Sequence, residues 1–226
     1  MKIQRYKSTA EFVTAEIRRM ILSGDLEPGA RLDQEEVAKL LDVSRHPVRQ
    51  AIERLAERGF VVLEPHKSAV VAEISLDDMR QLYQARNELE VLAVREGWPR
   101  FSSDLPRRLN ELLSRMLAVG TSDLDEFMIA NRDFHLSLYR ECANRYLFGT
   151  IERLFDLSER YQRTGHKHSD RSRQSMLDHR EIIAAVEKHD LERLVDVVRA
   201  HNAGGLAAAA HFLDDSPTPV PRPRSQ

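Results

Sequence analysis

The sequence predicts a mainly α-helical protein in two blocks, an N-terminal winged helix-turn-helix followed by an all-helical bundle. Three observations carry this reading. Apolar residues recur at steps of three and four through most of the chain, the period of a helix that buries one face. Two β-branched runs in "GFVVLEPHKSAVVAEIS" flank a Pro-His-Lys-Ser turn and read as a β-hairpin. Beyond residue 73 no strand pattern recurs. The expected blocks are residues 1–73 and 74–213, and the Pro-rich polar segment 214–226, "DDSPTPVPRPRSQ", is expected to be disordered.

Among 226 residues, 34 Lys and Arg face 36 Asp and Glu, for a net charge of −2. That balance argues against a blanket nucleic-acid coat but permits a locally basic face. No apolar run approaches the roughly 20 residues that span a membrane. The start "MKIQRYKSTAEF" lacks the apolar core of a signal peptide. A single cysteine, Cys142, allows no intrachain disulfide, so a reducing cytoplasm is the expected setting.

In the first block, "TAEFVTAEIRRMILSG" reads as a helix ending at Gly24, and "LEPGARL" as a turn. "DQEEVAKLLD" opens on Asp33 with Glu36 three residues on, the spacing of a capping box. After "DVS", "RHPVRQAIERLAERG" has Ser44 as N-cap, Pro47 in the first turn and Gly59 to end it. Helix, turn, helix, tight turn, helix and hairpin, in that order, make a winged helix-turn-helix, whose last helix enters the DNA major groove by its N-terminal turns. Those turns carry Arg45, His46 and Arg49. Arg45 and Arg49 share a face, and Arg is the preferred bidentate reader of guanine. The Ser44 hydroxyl, at a helix N-terminus, suits a phosphate. His66 and Lys67, in the wing turn, are placed to reach the adjacent backbone or minor groove. On an isolated helix these would be solvated surface charges; the complete motif makes them DNA contacts.

In the second block helical periodicity recurs near 76–97, 104–118, 123–142, 144–163, 170–188 and 190–213, with breaks such as "GWPRFSSD", "VGTSD" and "KHD". Three inward stripes carry a histidine. One is Leu124, Met128, Asn131, His135, Leu138, Cys142; the next is Met176, His179, Ile183, Val186. The third is Leu194, Val198, His201, Gly205, Ala208, Phe212. A lone histidine on an apolar face is ordinarily a hydrogen-bonded core residue. Three on separate helices, with Asn131 one turn from the first, suit a metal held inside a bundle. Three neutral imidazoles and one oxygen fit zinc, nickel or another first-row dication, with positions left for water or a ligand. Arg86 lies inward on the stripe Met79, Leu82, Arg86, Leu89, Ala93. It is either salt-bridged, to Glu90 or to an acid on a neighbouring helix, or it shares the carboxylate of a small organic acid with the metal. Gly204 and Gly205 would leave room beside it, being poor mid-helix residues unless space is needed. His166 and His168 read as linker, His189 as an exposed helix end and His211 as one place off its stripe.

The stretch "ILSGDLEPGARLDQEEVAKLLDVSRHPVRQAIERLAERGFV" resembles the DNA-binding domain of GntR-type bacterial transcription regulators. The helical remainder is similar to the effector domain of their FadR subgroup, the FCD domain. His46 departs from the Thr these regulators often carry, and Ser68 from a common wing glycine; both bear on which operator is read. The resemblance implies a homodimer on a palindromic operator, usually a repressor relieved by a metabolite, and not an enzyme. It also implies metal ligands, an Asp or Asn four residues before a His and then two later His. Those roles fall on Asn131, His135, His179 and His201. The neutral Asn131 amide would leave the charge of the metal uncompensated, which suits an anionic effector. Two rivals stand beside this reading. A metal-dependent hydrolase would use the three histidines to activate water, but the inward stripes offer it no general base. A metal-free regulator would sense an apolar or acyl ligand, which the polar inward positions disfavour.

Overall fold

Ser8 opens the first helix by accepting the amide of Glu11, and α1 (Thr9–Ser23) ends at a left-handed Gly24, φ 88°. The computed structural model describes residues 8–63, 69–120, 122–166 and 169–215. The chain divides into two compact units, Met1–Ile74 and Ser75–Gln226.

In the first unit Asp33 accepts the amides of Glu35 and Glu36 and so starts α2 (Gln34–Leu40). The chain then turns through Asp42, φ 52°, into α3 (Arg45–Glu57). A short polar side chain is what a left-handed residue other than glycine most often has. Val48, Ala51, Ile52 and Leu55 of α3 are all but inaccessible and share a core with Val13 and Ile17 of α1. Strands β1 (Arg31–Leu32), β2 (Val61–Leu63) and β3 (Ala69–Val71) form an antiparallel sheet in the order β1-β3-β2. The hairpin expected from the β-branched runs is present. A third strand joins it from the segment read as a turn, where Arg31 pairs with Val70 and Leu32 with Ala69. Two residues are too few to show an alternation in sequence. The wing turn with His66, Lys67 and Ser68 lies outside the described residues.

Among its described residues the second unit is built of helices and turns: α4 (Leu76–Gly97), a 3-10 turn (Trp98–Arg100), α5 (Leu105–Val119) and α6 (Leu124–Tyr139), then α7 (Arg145–His166), α8 (Ser169–Glu187) and α9 (Leu191–Asp215). Ser75 and Asp123 cap α4 and α6 by accepting the amides of Asp78 and Glu126. α4 packs on α7 and α9, α5 on α6 and α8, and α8 on α9. Leu105, Leu109, Phe134, Leu138, Ile182 and Leu194 are fully buried between them. The expected helical segments are all present, with shifted ends. α7 continues to His166, so the start of the expected linker is helix, whereas His168 lies outside the described residues. α6 stops at Tyr139, yet Cys142 stays buried. α9 runs to Asp215, and residues 216–226 of the expected tail lie outside the described residues.

Ser44 sits at the N-cap of α3, but its side chain makes no capping bond there. Asp33 makes two such bonds at α2. Asp33→Ala is therefore expected to lower the unfolding temperature, and Ser44→Ala to leave it unchanged, in melts followed by circular dichroism. Equal losses would mean that the Ser44 hydroxyl caps α3 after all.

Candidate functional site

Five helices of the second unit meet at a small pocket. Tyr83 and Arg86 face it from α4, Asn131 and His135 from α6, Gln162 from α7, Arg171 from α8, and His201, Asn202 and Gly205 from α9. The three stripe histidines are brought together. His135 and His179 approach Nε2 to Nε2 at 3.1 Å, and the His201 ring centroid lies 4.8 Å from that of His135 and 5.0 Å from that of His179. One ring nitrogen from each falls within 4.8 Å of the others. The helical period explains this meeting: each histidine replaces one apolar residue on its helix's buried stripe, and α6, α8 and α9 turn those stripes toward one interior.

Burial sets the chemistry of these rings. It pushes the His135 pKa well below its ordinary 6.5, and the neighbouring His201 and His179 push the same way. Burial also lowers His201, against the pull of Asp178. Burial thereby favours the neutral form of His135 and His201, the form that offers a lone pair. His201 Nδ1 lies 3.1 Å from Asp178 Oδ2, which assigns the proton to Nδ1 and leaves Nε2 with the free lone pair. Burial alone would raise the Asp178 carboxyl; hydrogen bonds with His201 and Gln174 and the charge of Arg171 bring it down to about 2. Asn131, one turn before His135, is buried, and its Oδ1 has no hydrogen-bond partner among the described residues. His135 Nδ1 is in the same position. An unmet buried acceptor costs about 1–3 kcal/mol.

Arg86 is salt-bridged, the first of the two alternatives. Its Nε donates to Glu90 Oε1 at 2.7 Å and its Nη1 to Ser158 Oγ at 2.8 Å, and its guanidinium lies 4.0 Å from the centre of the Phe155 ring. Glu90, with no exposed surface, also accepts from the Tyr139 hydroxyl and the Asn202 amide, each at 2.8 Å. Arg86 nonetheless forms part of the cavity wall. The room made by Gly204 and Gly205 goes to other residues: a Cβ on Gly204 would come within 3.0 Å of Arg171 Nη1, and one on Gly205 within 3.3 Å of Tyr83. Arg171, which the sequence reading passed over, donates through Nη1 to Asp178 at 3.3 Å and through Nη2 to the His201 carbonyl at 3.1 Å. Its only trace in the sequence is the pair of glycines opposite. Asp178, adjacent to His179, was also missed, because it lies off the stripe.

In the first unit Ser44, Arg45, His46 and Arg49 are exposed at the start of α3. Arg45 Nη2 meets Glu35 Oε2 at 2.5 Å, and Arg49 Nη2 lies 3.4 Å from His46 Nδ1. Glu35 is thus a neighbour of the expected base reader that the sequence order did not reveal.

The description "Bacterial regulatory proteins, gntR family" matches residues 9–71, and "FCD domain" matches residues 81–204, more than half of the chain. An uncharacterized HTH-type transcriptional regulator, BphR of Paraburkholderia xenovorans, is 27% identical over 93% of this chain and 89% of its own length. The HTH-type transcriptional repressor GlaR of Escherichia coli is 26% identical over 82% of this chain and 88% of its own. The structure of E. coli McbR/YncC superposes with a TM-score of 0.77, at 22% identity, over 92% of this chain and 99% of that one. These relatives are regulators, not hydrolases. No helix among the described residues is long and apolar enough to cross a membrane.

Glu90→Ala is expected to destabilise the protein by about 3–5 kcal/mol, since it leaves Arg86 buried without a counter-charge. The double change Glu90→Leu with Arg86→Met should recover most of that loss. Denaturant unfolding of the three proteins checks both statements.

Proposed function

Because the chain belongs to the GntR family of bacterial regulatory proteins, in the group that carries an FCD domain, we propose that this DNA-binding transcription regulator senses a small carboxylate at a metal held by its helical unit. The observation that carries the reading is the convergence of His135, His179 and His201 with the unpartnered Asn131 oxygen. Three neutral nitrogens and one buried acceptor without a donor fit a first-row dication, zinc or nickel before others. Bound there, the ion would supply a Lewis-acidic anchor for an anionic oxygen. Asn131 and the three rings hold it; Asp178 fixes the His201 tautomer; the Arg86 guanidinium, its charge met by Glu90, takes part of the effector carboxylate.

On the DNA side, Arg45 and Arg49 read bases, His46 adjusts which bases are read, and Ser44 receives a phosphate. His66 and Lys67, outside the described residues, complete the contact from the wing. A homodimer presents two such helices to a palindromic operator. Repression is relieved when the effector favours an arrangement of the dimer that fits the operator less well. The cytoplasm is the setting this activity requires.

Arg49→Ala is expected to weaken operator binding by about 1–3 kcal/mol and to relax base preference at one position per half-site. Titrations at matched salt check this, and unchanged affinity and specificity would remove α3 as the reader. The protein is further expected to take up about one zinc or nickel per chain and to melt lower after chelation. His135→Ala should abolish most of that difference. A saturated sample without metal in elemental analysis would make the histidines a hydrogen-bonded polar core.

A further inference from the structure

The charged side chains at the cavity already cancel. Arg86 is paired with Glu90 at 2.7 Å and Arg171 with Asp178 at 3.3 Å, so two cations meet two carboxylates. Asn131, Gln162 and Asn202, which share the wall with them, carry no charge. Phe134 and Phe155 close on the histidines, with ring centroids 4.4 Å from His179 and 5.4 Å from His135 respectively. Those aromatic faces lower the polarity around a charge placed here. A divalent ion on Asn131, His135, His179 and His201 would therefore bring two positive charges into a balanced, poorly screened interior. A monocarboxylate cancels only one of them.

We infer that the ligand of this site is a compact dicarboxylate whose two charges both enter the cavity, a conclusion that rests on the metal reading above. The arrangement gives the second carboxylate a place. Arg171 Nη2 stands 3.5 Å from His201 Nδ1, beside the histidine cluster, and Arg171 Nε is buried with no partner among the described residues. The glycine pair on α9 lets that guanidinium lie against the helix at the cavity wall, and Arg86 stands on the wall formed by α4. One carboxylate at the cluster and one toward a guanidinium divide the negative charge as the site divides the positive. A phosphate monoester of equal charge would concentrate it at one end.

Calorimetry on the full chain, loaded with zinc and with its metal content measured, tests this. The probes are oxalate, malonate, succinate and glutarate, each against its own monoamide, which keeps the shape and loses one charge. The best diacid is expected to bind roughly tenfold or more tighter than its monoamide. Asn131→Asp adds one negative charge among the ligands and should shrink that ratio without lowering metal content. Arg171→Gln, which removes the cation facing Asp178 and leaves that carboxylate only its hydrogen bonds with His201 and Gln174, should shrink it too and serves if the first variant does not fold. A metal-loaded chain that binds diacid and monoamide equally, or binds none of the series, overturns the inference and leaves the metal reading intact. A chain that takes up no zinc overturns both.

Discussion

The carboxylate of Glu90 fixes the helices on which the cavity depends. With no exposed surface, it accepts from Arg86 on its own helix, from Tyr139 on α6 and from Asn202 on α9. A lone carboxylate in that place would be costly; three matched donors make it a rigid joint. Any slide of α4, α6 or α9 would break at least one short bond around it. The same helices carry His135, one turn before Tyr139, and His201, next to Asn202. The network therefore sets where two of the three rings stand.

The rings themselves are oriented by different means. His201 is held by a carboxylate, because Asp178 accepts from its Nδ1. His135 has no hydrogen-bond partner at Nδ1 among the described residues and is held by packing against Phe134, Tyr139 and Phe155. An Asp behind a ring keeps the tautomer and raises the basicity of the far nitrogen. It also places its negative charge one imidazole away from the converging nitrogens. Asn131 supplies none at closer range. The cluster is thus rich in lone pairs and poor in charge.

The sequence made the helical stripes legible because each inward residue sits on a period that any helix must obey. Leu138, Ile183 and Val198 come out buried for the same reason as Asn131, His135, His179 and His201. Caps at Asp33 and the left-handed Gly24 were legible because local backbone bonds decide them. What the period could not give was contact across helices. Arg171 and Asp178 lie off the apolar stripe and reach the cavity through long or angled side chains, which no spacing rule records. The choice of Glu90 for Arg86 depended on whether an i,i+4 pair was also buried, and only packing answers that. The strand Arg31–Leu32 was hidden for want of length, since its existence rests on its partner Ala69–Val70.

Two arginine–carboxylate pairs show how the medium decides what a residue can do. Arg45 meets Glu35 at 2.5 Å with both side chains more than half exposed; Arg86 meets Glu90 at 2.7 Å with both buried. The distances are alike and the consequences opposite. Water screens the first pair, so it is worth about 0–1 kcal/mol and can be exchanged for a phosphate or a guanine edge at little cost. The second cannot be opened without leaving a charge in the interior, so Arg86 can meet a ligand only with Glu90 still attached. The exposed pair leaves its guanidinium free to change partners, and the buried pair holds its guanidinium in one place on the cavity wall.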